Sequence, residues 1–278
     1  MLFKLYMMLF ALKTATCSCN PEVRKSGFTK AKSQYTITKT GELPECINEN
    51  SGLATAWQEG YYWTHDDSGG NPELYMIGEN GRVYDTLAVN DAINVDWEDL
   101  AKDHEGNIYI GDFGNNTQSR KDLAIYKFKN GVSEKITFHY ADQSTFPAHK
   151  RIFDCEAFFW TNDKLYLFSK SWDRTDRTTK LYEIPAKAGN YAITVKDSIY
   201  LKTPVTAADI SPDGKQFALL TYGKIFVFET SEGKIDFSKP KNCIKIGRGQ
   251  VEALAYINNT DFIVTNEQRK IYKVSLSK

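Results

Sequence analysis

One pattern recurs along the chain and restricts the folds that the chain can adopt. From residue 51 onward, a short strand of small, acidic and apolar residues leads through a turn to a second strand, a polar loop and one or two amphipathic strands. The first strands of successive units carry, at matching positions, Ser51, Glu98, Glu156, Ala208 and Glu252. These positions are about 45 to 60 residues apart, the length of a four-stranded propeller blade. Five units predict an all-β fold, a five-bladed β-propeller.

The last unit is one strand short of a full blade. It contains three predicted strands, whereas residues 33–40 alternate as a strand near the N-terminus and have no local partner. We expect this N-terminal strand to complete the last blade, because the pairing closes the ring and removes an exposed sheet edge. A six-bladed propeller and a β-sandwich are the alternatives, but a sandwich does not explain the recurring motif.

The N-terminus indicates export. Residues 5–12 form an apolar run that is too short to span a bilayer but suits the core of a signal peptide. The small residues before Cys17 and Cys19 are typical of a lipoprotein signal, with either cysteine as the lipidated one. We therefore predict a signal at 1–19, a polar tether at 20–32 and one propeller domain at 33–278. The protein is expected to be periplasmic, an outer-membrane lipoprotein or secreted.

The charges of the chain balance. Lys plus Arg and Asp plus Glu both number 35, so no overall field attracts nucleic acid or an anionic membrane. We expect no nucleic-acid partner, membrane contact only through an N-terminal lipid, and a monomer.

Acidic residues of the first strands predict a metal site. Inner strands line the channel of a propeller, so the side chains of Ser51, Glu98, Glu156 and Glu252 should meet near its axis. Buried like charges are unfavourable unless a proton or a cation offsets them, and oxygen ligands favour Ca²⁺. Ala208 offers no ligand, so Thr206 or water would have to substitute. The alternative is that these carboxylates accept hydrogen bonds from backbone amides and cap the channel.

The loops between second and third strands should form a polar rim at the same end. Asp66, Asp67 and Asp112 are the candidate catalytic residues, each able to position a water molecule. Basic, aromatic and amide side chains beside them suit a phosphate or carboxylate ligand. The candidate ligand-binding residues are Asn115, Asn116, Arg120, Lys170, Trp172 and Glu267.

The order of these motifs resembles the calcium-activated nucleotidase (apyrase) family. The matching segments are Ser51-Gly52-Leu53, Asp66-Asp67-Ser68-Gly69, Glu98-Asp99-Leu100-Ala101, Glu156-Ala157 and Glu252-Ala253-Leu254. The resemblance implies an axial Ca²⁺ surrounded by three Glu and two Ser, of which the second Ser is replaced by Ala208. Ser68 stands where the family has an Arg. The chain also resembles exported bacterial propellers with the signature Asp-Trp-Glu-Asp-Leu-Ala, and a TolB-like propeller is an alternative architecture.

Two functions follow from these observations. The first is a ligand- or protein-binding propeller that carries an axial calcium site and takes a small anionic ligand or a protein partner. The alternative is a calcium-dependent hydrolase of phosphate esters or anhydrides. The binding function is favoured, because Ala208 and Ser68 stand where the nucleotidase family has a Ser and an Arg.

Overall fold

The regular secondary structure of the described residues is almost entirely β-strand. The computed structural model describes residues 9–10, 12–14, 18–19, 25–173 and 175–277. In chain order the strands are β1 (Thr29–Lys30), β2 (Tyr35–Glu42), β3 (Asn50–Thr55), β4 (Tyr61–Asp66), β5 (Glu73–Gly78), β6 (Val83–Ala88), β7 (Trp97–Lys102), β8 (Ile108–Asp112), β9 (Ala124–Lys129), β10 (Val132–Tyr140), β11 (Asp154–Thr161), β12 (Lys164–Lys170), β13 (Thr178–Pro185), β14 (Gly189–Ile193), β15 (Asp197–Tyr200), β16 (Val205–Ile210), β17 (Gln216–Thr221), β18 (Lys224–Glu229), β19 (Pro240–Lys245), β20 (Val251–Tyr256), β21 (Phe262–Asn266) and β22 (Lys270–Leu276). A short 3-10 helix, Lys32–Gln34, joins β1 to β2.

These strands form five sheets, which are the blades of a propeller. Blade 1 is β3-β4-β5-β6, blade 2 begins β7-β8-β9-β10, blade 3 is β11-β12-β13-β15, blade 4 begins β16-β17-β18-β19, and blade 5 is β20-β21-β22-β2. The innermost strands contact one another in a closed ring, in the order β3, β7, β11, β16, β20 and back to β3. The predicted five-bladed β-propeller is confirmed.

The N-terminal strand closes the ring as predicted. β2 pairs antiparallel with β22 from Tyr35 opposite Leu276 to Glu42 opposite Lys270, and the Ser277 amide donates to the Gln34 carbonyl at 2.6 Å. At the far end of β2, Gly41 lies against blade 1, where an added Cβ would be 2.3 Å from the backbone of Asn80. Blade 5 is therefore built from both ends of the domain and also contacts blade 1.

Part of the predicted tether belongs to the propeller. β1 pairs in parallel with β19 at the outer edge of blade 4, and Phe28 packs on Phe226 and Phe228 with ring centroids 5.0 and 5.1 Å apart. Cys19 forms a disulfide with Cys243 of β19. The boundary at residue 33 was therefore placed too late, because one aromatic residue in a Lys-rich segment gives no periodic signal.

The remaining N-terminal predictions lie largely outside the described residues. Cys17 and most of the predicted signal at 1–19 fall there, while Cys19 is held in the disulfide. In the ranges that the structure describes, no helix has both the length and the hydropathy needed to cross a membrane.

The segment that follows β13 contains two short strands that belong to different blades. β14 pairs in parallel with β10 and extends blade 2, whereas β15 pairs with β13 and completes blade 3. The chain thus leaves blade 3, adds a strand to blade 2 and returns, which links the two blades.

Apolar side chains pack between neighbouring blades. The described residues form five buried clusters, one at each interface between blades. Between blades 1 and 2, for example, the fully buried Trp63 and Trp97 belong to one cluster. The inner strands are buried along most of their length, so their small, acidic and apolar side chains pack between blades or face the channel.

Every inner strand contains a β-bulge near its start. The register shifts fall between Ser51 and Ala54, Trp97 and Leu100, Cys155 and Ala157, Val205 and Ala207, and Val251 and Ala253. A bulge leaves residues out of the ladder and re-aims their side chains. The acidic residues of the repeat lie at these bulges.

Candidate functional site

A polar pocket opens at the end of the channel where the inner strands begin. Its volume is about 270 Å³. It is lined by Glu49, Asn50, Ser51, Asp67, Glu98, Asn116, Glu156, Lys170, Trp172, Tyr222, Gln250, Glu252 and Glu267. We call it the mouth pocket. Five of its side chains are carboxylates in addition to Glu49, and Lys170 is its one lysine or arginine among the described residues.

The bulges bring three glutamates into this pocket. Glu98, Glu156 and Glu252 each follow the last paired residue before the bulge of β7, β11 and β20. In β16 the residue at this position is Thr206, which lies between the shifted pairs of Val205 and Ala207. The alignment with Ala208 was therefore displaced by two residues, since alternation cannot reveal a bulge.

The hydroxyl groups of Ser51 and Thr206, near the axis, donate hydrogen bonds to backbone carbonyls. Ser51 Oγ donates a short hydrogen bond to the Glu98 carbonyl, and Thr206 Oγ1 donates to the Val251 carbonyl at 2.9 Å. Each bond links an inner strand to that of a neighbouring blade. Ser51 does line the pocket, as the predicted ligand set requires.

Lys170 places its ammonium group among the glutamates. Its Nζ lies 2.6 Å from Glu156 Oε2, and both side chains are about 5% exposed. The ammonium group also lies 4.7 Å from the centroid of the Trp172 ring and 5.8 Å from that of Tyr222. Burial alone lowers the pKa of Lys170, but the negative charges, led by Glu156, outweigh it and raise the pKa. Lys170 is thus a fixed internal cation.

A second acidic group lies beside this ion pair. One carboxylate oxygen from each of Asp67, Asp96 and Glu98 lies within 4.8 Å of the others. Among the described residues, no other three His, Cys, Asp or Glu side chains come together in this way. Asp96 precedes β7 and opens the Asp-Trp-Glu-Asp motif, but the predicted ligand set did not include it.

Burial and like charge raise the pKa values of these acids. The pKa of Asp67 rises to about 7 through burial and the charge of Asp96. That of Asp96 rises to about 6 through burial and the charge of Asp154. Burial and then the charge of Glu156 raise the pKa of Glu98. A bound cation would favour the ionised forms and lower all three values.

Several predicted rim residues form a network behind the pocket. Arg120 pairs with Asp112 at 3.0 Å and with Asp122 at 3.2 Å, and Asn115 donates to the Phe153 carbonyl at 2.9 Å. Of the three candidate catalytic residues, Asp67 lines the pocket, whereas Asp66 accepts from the Glu49 amide and Asp112 from the Asp96 amide. Of the candidate ligand-binding residues, Asn116, Lys170, Trp172 and Glu267 line the pocket.

The residue that connects the blades at the axis is Asp99, which was not among the predicted site residues. Asp99 is fully buried, and its Oδ2 accepts from the amides of Phe158 and Ala208, both at 3.1 Å. Its carboxylate thus joins blades 2, 3 and 4. The capping role considered for the glutamates is performed by this neighbouring aspartate.

The opposite end of the channel holds a larger cavity of about 1020 Å³. Lys102, Asp103 and Asp209 contribute polar groups to it, and none of the predicted site residues lies there. The mouth pocket is therefore the candidate functional site.

Comparisons with known proteins support the fold alone. No protein-family model matches the chain, and no curated protein matches it either. Among solved structures, a gluconolactonase from Xanthomonas campestris is similar with a TM-score of 0.50 and 11% identity, over 87% of this chain and 90% of that chain.

Two further solved structures are similar over most of this chain. A virginiamycin B lyase from Staphylococcus aureus aligns with a TM-score of 0.43 and 15% identity, over 82% of this chain and 66% of that one. A chain of the mitotic checkpoint complex aligns with a TM-score of 0.44 and 11% identity, over 81% of this chain and 61% of that one.

Proposed function

We propose that this protein is an exported binding propeller that holds a calcium ion in the mouth pocket. The observation that carries the proposal is the excess of negative charge in this pocket, which is lined by six Asp and Glu side chains and, among the described residues, by one lysine. Oxygen ligands of this kind suit a hard cation. When bound, calcium supplies the positive charge that attracts an anionic group of a small ligand or of a protein partner.

The disulfide supports the proposed location. Disulfides persist in oxidising compartments such as the periplasm and the extracellular space, and Cys19 is paired with Cys243. If the N-terminus carries a lipid, Cys17 is then the cysteine left for it. The apyrase resemblance remains part of the same proposal, since that family places calcium on the propeller axis.

Calcium titration of the purified chain tests this function. We expect saturating calcium to raise the thermal midpoint by about 5 to 10 °C over chelator, since about 100-fold excess over Kd contributes about 2.7 kcal/mol. The double variant Glu98→Gln/Glu156→Gln should lose this increase, whereas Glu232→Gln, an exposed change at the opposite cavity, should keep it. If added calcium does not change the thermal midpoint of the chelator-treated protein, the proposal is contradicted.

A second candidate function rests on Asp67. Its carboxyl lines the pocket, and its ionised form, which a bound cation would favour, can accept a proton from water. Calcium would supply charge stabilisation at a phosphoryl oxygen. Hydrolysis of nucleotides or phosphate esters that requires calcium and disappears in Asp67→Asn would establish the hydrolase. A lactone should join the substrates tested, because the similar solved structure is a gluconolactonase.

A further inference from the structure

The mouth pocket contains two different environments for positive charge. On one side, Glu156 is neutralised by the ammonium group of Lys170 at 2.6 Å. On the other side, Asp67, Asp96 and Glu98 face one another without a lysine or arginine in direct contact among the described residues. Of the predicted axial ligands, Glu156 thus has a cation in contact, whereas Glu98 faces Asp67 and Asp96 without one among the described residues.

The acidic group is held in place by its backbone. Asn94 donates to the Asp67 carbonyl at 2.7 Å and accepts from the Trp97 amide at 3.2 Å, so it clamps the loop of blade 1 to the start of β7. The Asp96 amide donates to Asp112 Oδ1 at 3.1 Å, and the Gly114 amide donates to the Asp96 carbonyl at 3.1 Å. The three carboxylates therefore converge without an ion.

Their oxygens lack donors. In the described part of the chain, the one hydrogen bond to these carboxylates comes from the Ser68 amide to Asp67 Oδ1 at 2.6 Å. Glu98 is 5% exposed, and no described donor reaches its carboxylate. Glu156 Oε1, in the same pocket, is also buried without a partner. Asp67 and Asp96 are partly exposed, but Glu98 is buried without a donor to its carboxylate, which is costly unless a cation or a proton compensates it.

Gly114 provides the space for these oxygens. A Cβ added at residue 114 would lie 2.2 Å from Glu98 Oε1 and 2.4 Å from Asp96 Oδ2. The absence of a side chain at residue 114 therefore lets the two carboxylates approach each other.

We propose that Lys170 is the permanent cation of the channel axis and that a divalent metal ion binds beside it, at Asp67, Asp96 and Glu98. The inference rests on the proposed calcium function and specifies which residues hold the ion. Three carboxylates carry enough charge for Ca²⁺, whose remaining ligands are water or pocket amides such as Asn116. Ser51, Glu156 and Glu252 then belong to the wall of the pocket.

Calorimetric titration of the intact chain with Ca²⁺ and with Mg²⁺ tests the assignment. We expect about one Ca²⁺ per chain. Asp96→Asn should weaken its binding about tenfold or more, because ligand charge determines calcium affinity. Glu252→Gln, a matched neutralisation at the axis, should leave affinity within about threefold. Gly114→Ala should also weaken binding about tenfold by displacing two ligands, with an unchanged midpoint in chelator to show that it folds.

Lys170→Met tests the other half of the proposal. Removing the ammonium group leaves Glu156 and Glu252 without a counterion, so we expect the ratio of Ca²⁺ to chain to rise from about one to about two. Lys215→Met removes an exposed charge at the opposite cavity and should keep the wild-type ratio.

The outcomes separate the two proposals. Loss of binding in Glu252→Gln with unchanged binding in Asp96→Asn would place the ion on the axis, which overturns this inference and retains the calcium function. An unchanged ratio in Lys170→Met would overturn the role of Lys170. If the wild-type chain binds no Ca²⁺, both proposals fail.

Discussion

Two adjacent acidic residues of β7 have opposite surroundings. Asp99 accepts three backbone amides, from Leu100, Phe158 and Ala208, and so stabilises the junction of three blades. Glu98 accepts no described donor and lies near Asp67 and Asp96. A bulge puts both residues out of the ladder. Their different roles therefore follow from the direction in which each side chain points rather than from residue type.

Neutral substitutions of Asp99 and Glu98 should therefore have different effects on the free energy of unfolding. Asp99→Asn would direct an amide donor at backbone donors, and we expect it to lower the free energy of unfolding by about 1 to 3 kcal/mol. Glu98→Gln removes a buried acid without partners and should not lower it in chelator. Urea unfolding measures both values, and equal losses would contradict the distinction.

Asp209 is expected to make stability depend on pH. It accepts from the amides of Tyr256 and Ile210, both at 2.8 Å, but burial raises its pKa to about 7. The folded state then binds this proton more tightly than the unfolded state, whose pKa is about 3.9. Its stabilising contribution is complete below about pH 4 and is lost as the pH rises through 7.

The variant Asp209→Asn isolates this effect from other acids. Between pH 5 and 7 the stability of the wild type relative to the variant should fall, by at most about 1.4 kcal/mol per pH unit. Denaturant unfolding across that range measures the difference. A parallel pH profile for the two proteins would show that Asp209 is ionised throughout.

At the level of strands, the sequence predicts elements better than their partners. The five inner strands, the 45 to 60 residue spacing and the closing role of β2 followed from alternation and from edge protection. β1 and β14 did not, because each adds a fifth, parallel strand to a blade that already has four. The four-stranded repeat does not predict such a strand.

The repeat also limits how much of the candidate site could be predicted. Glu98, Glu156 and Glu252 could be predicted to converge, because they recur at matching places in the repeat. Lys170 was predicted as a rim ligand, but its contact with Glu156 was not, since it reaches the pocket from the end of β12. Asp96 was not in the predicted ligand set, since it precedes β7 and lies outside the repeating position. Bulges also shifted the fourth matching position from Ala208 to Thr206.

The disulfide fastens the N-terminal segment to blade 4. We expect Cys19→Ser/Cys243→Ser to lower the free energy of unfolding by about 2 to 4 kcal/mol, because the crosslink restricts the unfolded chain. Cys46→Ser, at an exposed free cysteine, is the matched control and should have no such effect. Equal midpoints with and without reductant would contradict the crosslink.

At the level of the whole molecule, the closed ring should unfold as one unit. Every interface between blades has its own apolar cluster, and blade 5 combines both ends of the domain. An opening of any interface exposes apolar surface and weakens its neighbours, so a partly unfolded ring has little to stabilise it.

The distribution of tryptophan makes this testable. The five Trp residues all lie between residues 57 and 172, in blades 1 to 3 and their loops, whereas circular dichroism reports on all five blades. We expect both signals to give one midpoint, as two-state unfolding requires. A second transition in circular dichroism alone would show that blades 4 and 5 unfold independently.

The exchange of strands between blades also determines how the chain could be reconnected. Joining residue 277 to residue 34 through a short linker, and opening the chain at the exposed residues 144–145, would give a circular permutant. Blade 5 would then be continuous in sequence, and the new ends would lie between blades 2 and 3. β14 connects blade 3 to blade 2 across that junction by pairing with β10. In the permutant this pairing would hold the two ends of the ring together, as β2 does in the native order.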